Sequence, residues 1–361
     1  MSSQSLENDG IARIKVVGVG GGGCNAVTRM FKERVQGVEY LGVNTDAQAL
    51  MRSEVPMRIR MGDKLTRGLG VGGNPEIGKE SAEESRDEIY ESVKDSDMVF
   101  IAAGMGGGTG TGAAPIVAEI AKEAEALTIA VVTKPFGFEG TKRKKLADEG
   151  IAKLKDKVDT LIVIPNDRLF SVCDEKVTME NAFRLADDVL RQGVQSIAEL
   201  VTVPGEINLD FADIKTVMSN AGPAWMSIGR GSGQNKAVDA AKAAVSSPLL
   251  DVSIDGAKGI LFNVCGGSDL SLMEVEAAAD VIRSAADPDA NIFFGLVTDI
   301  KMEDEVKITL VATGFPTAEE VFIPRDEDVI QMTMPDVREE AELDIPPFLR
   351  RQNGHRRIAA F

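Results

Sequence analysis

The sequence predicts an α/β fold in which a mostly parallel sheet is joined by a long core helix to a second, smaller α/β domain. Short apolar stretches alternate with helical patterns from Arg13 to about Asn166, which is typical of strands connected by helices. A long amphipathic pattern then covers residues 179–200, and after a loop strands and a helix alternate again up to Pro316. A length of 361 residues agrees with two domains and a tail.

The individual elements follow from apolar runs and helical periodicity. The predicted strands are 14–17, 98–103, 131–133, 161–164, 259–264, 291–297 and 306–312. The predicted helices are 25–32, 113–126, 179–200 and 272–285. Six apolar side chains on the long helix are expected to share one face: Phe183, Ala186, Val189, Leu190, Val194 and Ile197.

The composition excludes several classes of function. A net charge of −17 argues against general nucleic-acid binding and against direct docking on anionic lipid, since both need clustered Lys and Arg. The single histidine, His355, leaves the folded body without a Ser-His-Asp triad or a multi-histidine metal site. Cys24, Cys173 and Cys265 are widely spaced, as expected of reduced cytosolic thiols. The polar first residues resemble no signal peptide, and no apolar run is long enough to span a bilayer.

Glycine is concentrated in three short windows. Of 36 glycines, 16 lie in residues 18–23, 68–78 and 104–112. The first and third windows each follow a strand pattern and precede a helix pattern. In an α/β sheet that arrangement aims backbone N–H groups at a bound phosphate, and glycine permits the close approach.

The first window alone leaves alternatives open. It fits the Gly-x-Gly-x-x-Gly fingerprint of dinucleotide-binding folds, with acidic residues at a suitable distance in residues 39–46, and it also fits a tight strand–helix turn. The third window, Gly-Gly-Gly-Thr-Gly-Thr-Gly over residues 106–112, is more specific. It is not a Walker A loop because no Gly-Lys-Ser/Thr follows, so phosphate charge must be met by N–H groups, hydroxyls, helix dipoles and a cation.

The 106–112 motif resembles the signature of the tubulin/FtsZ GTPases, and the likeness to the FtsZ branch runs from Ile11 to Phe315 with a further match in the tail. The resemblance implies a tubulin/FtsZ-like fold with a Rossmann-like GTPase domain. It implies binding of GTP and GDP, with Mg²⁺ held through the nucleotide phosphates and no protein-built metal site. It further implies head-to-tail self-assembly into a cytokinetic ring in the cytoplasm at the bacterial division site, where other division proteins are recruited.

The resemblance also implies domain boundaries and nucleotide-binding residues. The boundaries are a disordered N-terminus (1–11), a GTP-binding domain (12–177), the core helix with the synergy loop (178–220), a C-terminal α/β domain (221–316), an acidic linker (317–343) and a partner-docking tail (344–361). The implied nucleotide-binding residues are Gly21, Gly22, Gly23, Cys24, Asn25, Gly72, Gly73, Gly106, Gly107, Gly108, Thr109, Gly110, Thr111, Glu139, Arg143, Asn166, Phe183 and Asp187.

Two residues of the long helix are suited to a guanine base. Phe183 and Asp187 are four residues apart and so share a face. An aromatic ring can stack on the base, and a carboxylate can accept from guanine N1–H and N2–H₂, a donor pair that adenine lacks. By spacing alone Phe183 is as consistent with the core, and Asp187 with a solvated face. The resemblance assigns both to the guanine, together with Asn166 at a strand end.

Two further segments have alternative interpretations. Glu139 and Arg143 fit an exposed helical ion pair, whereas the resemblance places them near the ribose and phosphates. The loop over residues 68–75 resembles the one that meets the γ-phosphate and could order with it.

Asp210 and Asp213 follow a Pro-Gly turn and are three residues apart. They fit the N-cap and first turn of a helix, each stabilising it by a few tenths to about 1 kcal/mol. The resemblance instead makes Asn208, Asp210 and Asp213 the catalytic synergy loop, which inserts into the nucleotide site of the next subunit and orients the attacking water.

The tail carries an apolar and basic motif after an acidic stretch. Residues 317–344 contain ten acidic and two basic residues, whereas residues 345–361 contain four arginines and no acid. The motif resembles the FtsZ peptide that docks on membrane tethers and regulators, through Asp344, Ile345, Pro346, Phe348, Leu349, Arg350 and Arg351. The connector is short, and Pro347 stands where many family members have a smaller residue. We therefore expect only indirect contact with a membrane and none with nucleic acid.

Two other function classes remain as alternatives. A nicotinamide-dependent dehydrogenase is supported only by the first glycine window, and the second phosphate loop and the lack of a body histidine weigh against it. A simple GTP-switch protein is the second alternative, and the absence of a P-loop lysine from this sequence weighs against it.

Overall fold

The computed structural model describes residues 12–35, 37–172, 178–203, 205–207, 209–247, 254, 256–299, 302 and 304–315. Predictions that concern Cys173, Asn208, residues 1–11 and residues 317–361 lie outside these ranges. No helix of the described part has both the length and the apolar character needed to cross a membrane.

The described chain contains ten strands and eleven α-helices. The strands are β1 (Ile14–Val19), β2 (Val38–Asn44), β3 (Met57–Arg60), β4 (Met98–Gly104), β5 (Leu127–Lys134), β6 (Thr160–Pro165), β7 (Gly222–Ser232), β8 (Gly259–Gly266), β9 (Asn291–Thr298) and β10 (Glu305–Thr313). The helices are α1 (Gly20–Lys32), α2 (Ala47–Arg52), α3 (Asp63–Thr66), α4 (Pro75–Glu84), α5 (Arg86–Val93), α6 (Thr109–Glu123), α7 (Thr141–Lys155), α8 (Met179–Thr202), α9 (Phe211–Met218), α10 (Lys236–Val245) and α11 (Leu272–Ser284). Short 3₁₀ turns occupy Gly137–Glu139 and Asn166–Val172.

The strands form one continuous sheet in the order β3-β2-β1-β4-β5-β6-β7-β10-β8-β9. All neighbours from β3 to β7 are parallel, β10 is antiparallel to β7 and β8, and β8 and β9 are parallel. The prediction of a mostly parallel α/β fold with a further C-terminal α/β part is therefore confirmed. The first six positions have the doubly wound order of dinucleotide- and nucleotide-binding sheets.

Strand β7 joins the two parts of the sheet, and the sequence patterns do not predict it. Its first residues, Gly222–Ala224, pair with β6, and residues from Trp225 onward pair with β10. Glycines interrupt its apolar pattern, and the structure shows why they are needed. A Cβ at Gly229 would lie 1.9 Å from the Ala240 carbonyl oxygen, because α10 packs directly on the strand.

Two helices begin earlier than predicted. Helix α1 begins at Gly20 and α6 at Thr109, so glycines that a propensity argument assigns to loops form the first helical turns. Packing against neighbouring strands overrides the low helix propensity of glycine here. The unpaired N–H groups of those first turns therefore lie directly after β1 and, for α6, after four residues that follow the end of β4.

Helix α8 has the buried face expected of a core helix, with one exception. Five of its six predicted core residues are buried, from Ala186 to Ile197, whereas Phe183 is 42% exposed. The buried face packs with α1 against one side of the sheet, and α6 and α7 cover the other side. Phe183 lies beyond this core and is free to line a cavity.

Candidate functional site

The site lies where the strand order of the sheet reverses. Strand β1 pairs with β2 on one side and β4 on the other, with Val19 level with Val43 and Ala103. Helix α1 leaves β1 toward β2, and α6 leaves β4 toward β5. At such a point the two connections diverge and open a crevice at the carboxyl ends of the strands, where open α/β sheets bind ligands.

The two glycine turns that begin α1 and α6 touch each other. Gly20 has φ +72°, and a Cβ there would lie 2.8 Å from the Gly110 amide nitrogen. Gly106 has φ +96°, and its amide donates to the Thr111 hydroxyl over 2.8 Å. Backbone conformation and close packing therefore require glycine at these positions.

At two other positions of the same turns, neither the backbone conformation nor packing within the protein requires a glycine. A Cβ on Gly21 or Gly107 would meet no protein atom within 4 Å, and neither residue has a positive φ. Both line an open cavity of about 670 Å³. Glycine at these two positions leaves room for a ligand to approach the backbone N–H groups, so the cavity fits a phosphate group.

The loop over residues 67–74 forms the opposite wall of this cavity. Leu69 forms a bridge with Asp46, and the Ala47 amide donates to the Gly68 carbonyl over 3.0 Å. Gly72 and Gly73 have φ values of +57° and +85°. The cavity is lined by Gly21, Asn44, Asp46, Ala49, Leu69, Gly70, Val71, Gly72, Gly73, Gly106, Gly107, Gly108, Thr109, Lys142, Arg143 and Leu146. The three glycine windows thus meet at one place.

The sequence motifs assign no role to Asn44 and Thr45, two polar residues at the end of β2. Asn44 is buried, and its Nδ2 has no hydrogen-bond partner among the described residues. The Thr45 and Thr109 hydroxyls share a hydrogen bond of 2.7 Å. The Asp46 carboxylate caps α2 by accepting from the Gln48 and Ala49 amides. An Asn-Thr-Asp run directly after an apolar strand was the signal that could have identified this wall.

A second cavity, of about 640 Å³, lies between α1 and α8. Phe183 lines it, with its ring edge-on to Phe136 at 5.6 Å and to Phe138 at 6.2 Å between centroids. The cavity is lined by Asn25, Thr28, Arg29, Lys32, Ala49, Arg52, Ser53, Glu180, Phe183, Arg184 and Asp187. Ala49 and helix α1 border both cavities, which fits a ligand with a phosphate end and a planar end.

Asp187 lies in this second cavity and is paired with Arg29. The Arg29 Nε lies 3.3 Å from Asp187 Oδ2, and the Asp187 side chain is only 16% exposed. Burial raises the pKa of Asp187 to about 6, although the Arg29 charge opposes that rise. The alternative of a fully solvated carboxylate is therefore wrong.

Asn166 begins the 3₁₀ turn after β6. It is 5% exposed, and its Oδ1 has no hydrogen-bond partner within the described part of the chain. An unsatisfied buried carbonyl oxygen costs roughly 1–3 kcal/mol, so a polar ligand is a physical reason for its presence.

Glu139 and Arg143 form an ion pair of 2.5 Å, but they do not share a helix. Glu139 ends a 3₁₀ turn, Arg143 lies in α7, and Gly140 with φ +99° separates them. The other Glu139 oxygen accepts from the Phe136 amide over 2.9 Å. The interpretation as an exposed helical ion pair is therefore wrong. The Glu139 side chain is 11% exposed, and the pair joins the cluster of Phe136, Phe138 and Phe183 to the first, or phosphate, cavity, which Arg143 lines.

Asp210 and Asp213 lie away from both cavities. Asp210 is the N-cap residue of α9 but makes no side-chain cap hydrogen bond, and Asp213 lies in the first turn. The preceding segment is held against β9 by reciprocal backbone hydrogen bonds between Ile207 and Leu296. Asn208 lies outside the described residues.

Along the chain, helix α8 lies between Phe183, which lines the second, or base, cavity, and the segment that carries the acid pair Asp210 and Asp213. It has 24 residues, with Phe183 near its beginning and the Asp210 segment after its end. At 1.5 Å per residue, the helix from Phe183 to Thr202 spans roughly 28 Å. Neither Asp210 nor Asp213 lines either cavity. Helix α9, which they begin, ends at Met218, whose carbonyl accepts from the Thr160 hydroxyl at the amino end of β6, whereas the glycine turns lie at the carboxyl ends of β1 and β4.

The residues present fit a guanine nucleotide better than a protein-built metal centre. Within the described residues, no cluster of His, Cys, Asp and Glu could hold a metal ion.

Comparison with known proteins agrees with this geometry. The model of the GTPase domain of the tubulin/FtsZ family matches residues 13–174, and that of the FtsZ C-terminal domain matches residues 222–316. An empty FtsZ dimer from M. jannaschii is 49% identical, with a TM-score of 0.81, over 84% of this chain and 88% of that chain. CetZ2 from Haloferax volcanii, in a GTPγS-bound protofilament, is 18% identical, with a TM-score of 0.74, over 86% of this chain and 95% of that chain. The CetZ2 likeness shows the fold alone.

Proposed function

Since the chain belongs to the FtsZ family of tubulin-like GTPases, we propose that it hydrolyses GTP only on assembling head to tail into filaments. Each subunit supplies a nucleotide site at one end and the Asp210–Asp213 pair at the other. The observation that carries this proposal is that the Asp210–Asp213 acid pair lines neither cavity and begins a helix that ends beside the amino end of β6, whereas the glycine turns lie at the carboxyl ends of β1 and β4. A repeating contact that does not close on itself then gives a filament.

The nucleotide-binding residues act by position and charge. The first turns of α1 and α6 direct unpaired N–H groups at the phosphates, and Gly21 and Gly107 leave space for them. Thr109, fixed by Thr45, provides a hydroxyl to the phosphates, and Arg143 is held by Glu139 at the cavity rim. Bound Mg²⁺ would offset the charge that develops on the phosphates.

Recognition of the base uses three residues. Phe183 lines the cavity and is partly exposed, so its ring stacks on the base, and Asp187 accepts from guanine N1–H and N2–H₂. The unpartnered Asn166 Oδ1 accepts from a further donor of the ligand. Adenine would leave the buried Asp187 carboxylate without a donor, so it is rejected.

Hydrolysis is completed by the adjacent subunit. Its Asp210 and Asp213, with Asn208, orient and polarise the water that attacks the γ-phosphate. Asp210 is exposed and has no side-chain cap hydrogen bond, so it is free to do this. In the single chain these aspartates have no phosphate to act on.

The cellular role follows from this chemistry and from the sequence. We assign the filaments to the cytokinetic ring at the division site, in the cytoplasm, with the tail at residues 344–351 docking membrane tethers and regulators. The boundaries after residues 11, 177, 220, 316 and 343 remain the proposed domain limits.

The proposal is tested by mixing two inactive variants. Asp213→Ala keeps the nucleotide site but lacks the water-orienting acid, and Gly107→Ala keeps the acid pair but blocks the phosphates. Each alone should release phosphate at least tenfold more slowly than the wild type, whereas the mixture should recover part of the activity. Light scattering is followed at the same time, and Asp239→Ala, in the first turn of α10, is the matched control.

Several outcomes separate the function classes. Specific activity that does not change with protein concentration would overturn the assembly requirement. GTP binding or hydrolysis without scattering would favour a simple GTP switch, and no response to GTP would favour a dehydrogenase. Loss of GTP binding in Asp213→Ala would contradict the role assigned to that residue.

A further inference from the structure

Arg29 is a charged residue of the base cavity to which neither the sequence motifs nor the proposed mechanism assigns a role. It lies on α1, and its Nε is 3.3 Å from the Oδ2 of Asp187 on α8. The two helices pack together on the same side of the sheet, so the pair bridges the two walls of the cavity. The Arg29 side chain is 33% exposed, whereas that of Asp187 is 16% exposed.

We propose that Arg29 is a positioning residue for base recognition, which holds the Asp187 carboxylate ionised and oriented for the guanine donors. This rests on the proposed guanine-binding function of Asp187. A carboxylate has about four lone-pair directions, so one ion pair on Oδ2 leaves acceptor sites for N1–H and N2–H₂. Arg29 therefore acts beside the base and through Asp187.

The electrostatics of the cavity make such a residue necessary. Burial favours the neutral form of Asp187, and in a protonated carboxyl one oxygen carries a proton and acts as a donor, so the two oxygens are not both free to accept from guanine. The neighbouring Asp188 adds a repulsive charge that favours the neutral form further. Arg29 is the described cation in direct contact with the Asp187 carboxylate, and it opposes both effects.

Other charged groups around the cavity are engaged elsewhere or lie farther along its wall. Lys32 pairs with Glu54 at 2.8 Å, and Asp188 pairs with Arg191 at 2.7 Å. The Arg52 Nε donates to the Gln48 carbonyl over 3.3 Å. The remaining charged side chains lining the cavity are Glu180 and Arg184, on the exposed first turns of α8.

The test is the pH dependence of binding of a fluorescent GDP analogue, which avoids assembly and hydrolysis. Dissociation constants are measured from pH 5.5 to pH 8 for the wild type, Arg29→Gln, Arg29→Lys and Lys32→Gln. Lys32→Gln is the matched control, since it removes a cation from the same helix and cavity without touching Asp187. Titration of the nucleotide itself is common to all four proteins and cancels in their ratios.

Removing an adjacent positive charge raises a carboxyl pKa by about one unit or more, so Arg29→Gln should bind roughly fivefold or more weakly than the wild type at pH 6. At pH 8 the difference should shrink to about twofold, because the carboxyl is ionised in both proteins. Arg29→Lys should restore most of the wild-type profile. The ratio of Lys32→Gln to wild-type affinity should stay constant with pH, because Lys32 pairs with Glu54 and not with Asp187.

A ratio of Arg29→Gln to wild-type affinity that is constant across the pH range would show a merely structural role and overturn the inference. The same pH-dependent loss in Lys32→Gln would overturn it too, since it would reflect general cavity charge. If the wild type binds no guanine nucleotide, the proposed function itself fails. If the wild type binds the GDP analogue and Arg29→Gln binds it with the same affinity across the pH range, only the role of Arg29 fails.

Discussion

The Thr45 hydroxyl at the end of β2 and the Thr109 hydroxyl at the start of α6 share a hydrogen bond of 2.7 Å, although 64 residues separate them. Thr45 is fully buried, and its carbonyl accepts from the Gly70 amide of the loop over residues 67–74. One threonine therefore links two walls of the phosphate cavity. Because the Thr45 side chain is held by the buried residues around it, its hydroxyl fixes the orientation of the Thr109 hydroxyl.

Thr45→Val should lower the rate of GTP hydrolysis with little change in stability beyond that of a lost hydrogen bond. The substitution keeps the shape of the side chain but leaves Thr109 without this partner, a loss of about 1–2 kcal/mol. If that loss is expressed in the transition state, kcat falls roughly 5- to 30-fold while KM changes little. Steady-state phosphate release measures it, and Thr45→Ser should retain most of the activity.

Thr128→Val is the control for Thr45→Val. Thr128 is equally buried, and its hydroxyl also makes a hydrogen bond, to the Ala126 carbonyl, but it lies at the amino end of β5 and does not line the phosphate cavity. An equal fall of kcat in both variants would show that any buried threonine has this effect.

Gly107→Ala should abolish nucleotide binding without unfolding the protein. The added Cβ meets no protein atom within 4 Å, so it occupies only the space assigned to the phosphates. We expect at least a hundredfold loss of GTP affinity by calorimetry, with a free energy of unfolding within about 1 kcal/mol of the wild type.

Gly233→Ala is the control for Gly107→Ala. Its added Cβ also meets no protein atom within 4 Å, but Gly233 lies directly after the end of β7 and does not line the phosphate cavity. Its φ of +79° predicts a stability loss of about 1–2 kcal/mol. Its GTP affinity should not change. Normal binding by Gly107→Ala would contradict the phosphate assignment.

Phe183→Leu should weaken binding of guanine nucleotides by loss of stacking. Base–aromatic stacking contributes about 1–3 kcal/mol, which corresponds to a roughly 5- to 150-fold rise of the dissociation constant. Phe170→Leu is the control, because Phe170 is 50% exposed and packs on Phe136 without lining the base cavity. Equal weakening in both variants would assign the effect to the aromatic cluster as a whole.

The buried Asp187 should make the nucleotide-free protein less stable as pH rises. Its folded pKa of about 6 lies above the ordinary value of 3.8, so the folded state holds the proton more tightly than the unfolded state. Its contribution to stability is therefore largest below pH 4, declines between pH 4 and pH 6, and is lowest above pH 6. The difference is about 2–3 kcal/mol.

Denaturant unfolding of the wild type and Asp187→Asn from pH 4 to pH 8 measures this difference, since other titrations cancel. The wild type should lose stability relative to Asp187→Asn as pH rises through this window. A constant difference across the range would show that Asp187 is not desolvated.

Much of the site is predictable from local sequence because its chemistry is built from backbone. Glycine windows that follow apolar strands predict the turns that face a phosphate. The motif over residues 106–112 then indicates one protein family. The Asn44–Asp46 wall was missed because one polar run after one strand carries little information until its neighbours in the sheet are known. Strand β7 was missed because α10 requires glycines that weaken its strand pattern.

The sequence by itself determined the α/β class, the position of the glycine turns, the long helix and the family. These depend on local periodicity and on residue types that the backbone conformation demands. Only the tertiary structure decided that Phe183 faces a cavity, that Arg29 pairs with Asp187, and that the Asp210–Asp213 pair lies outside both cavities. Those relationships arise from packing between elements far apart in the chain, and no local pattern contains the distance between two elements.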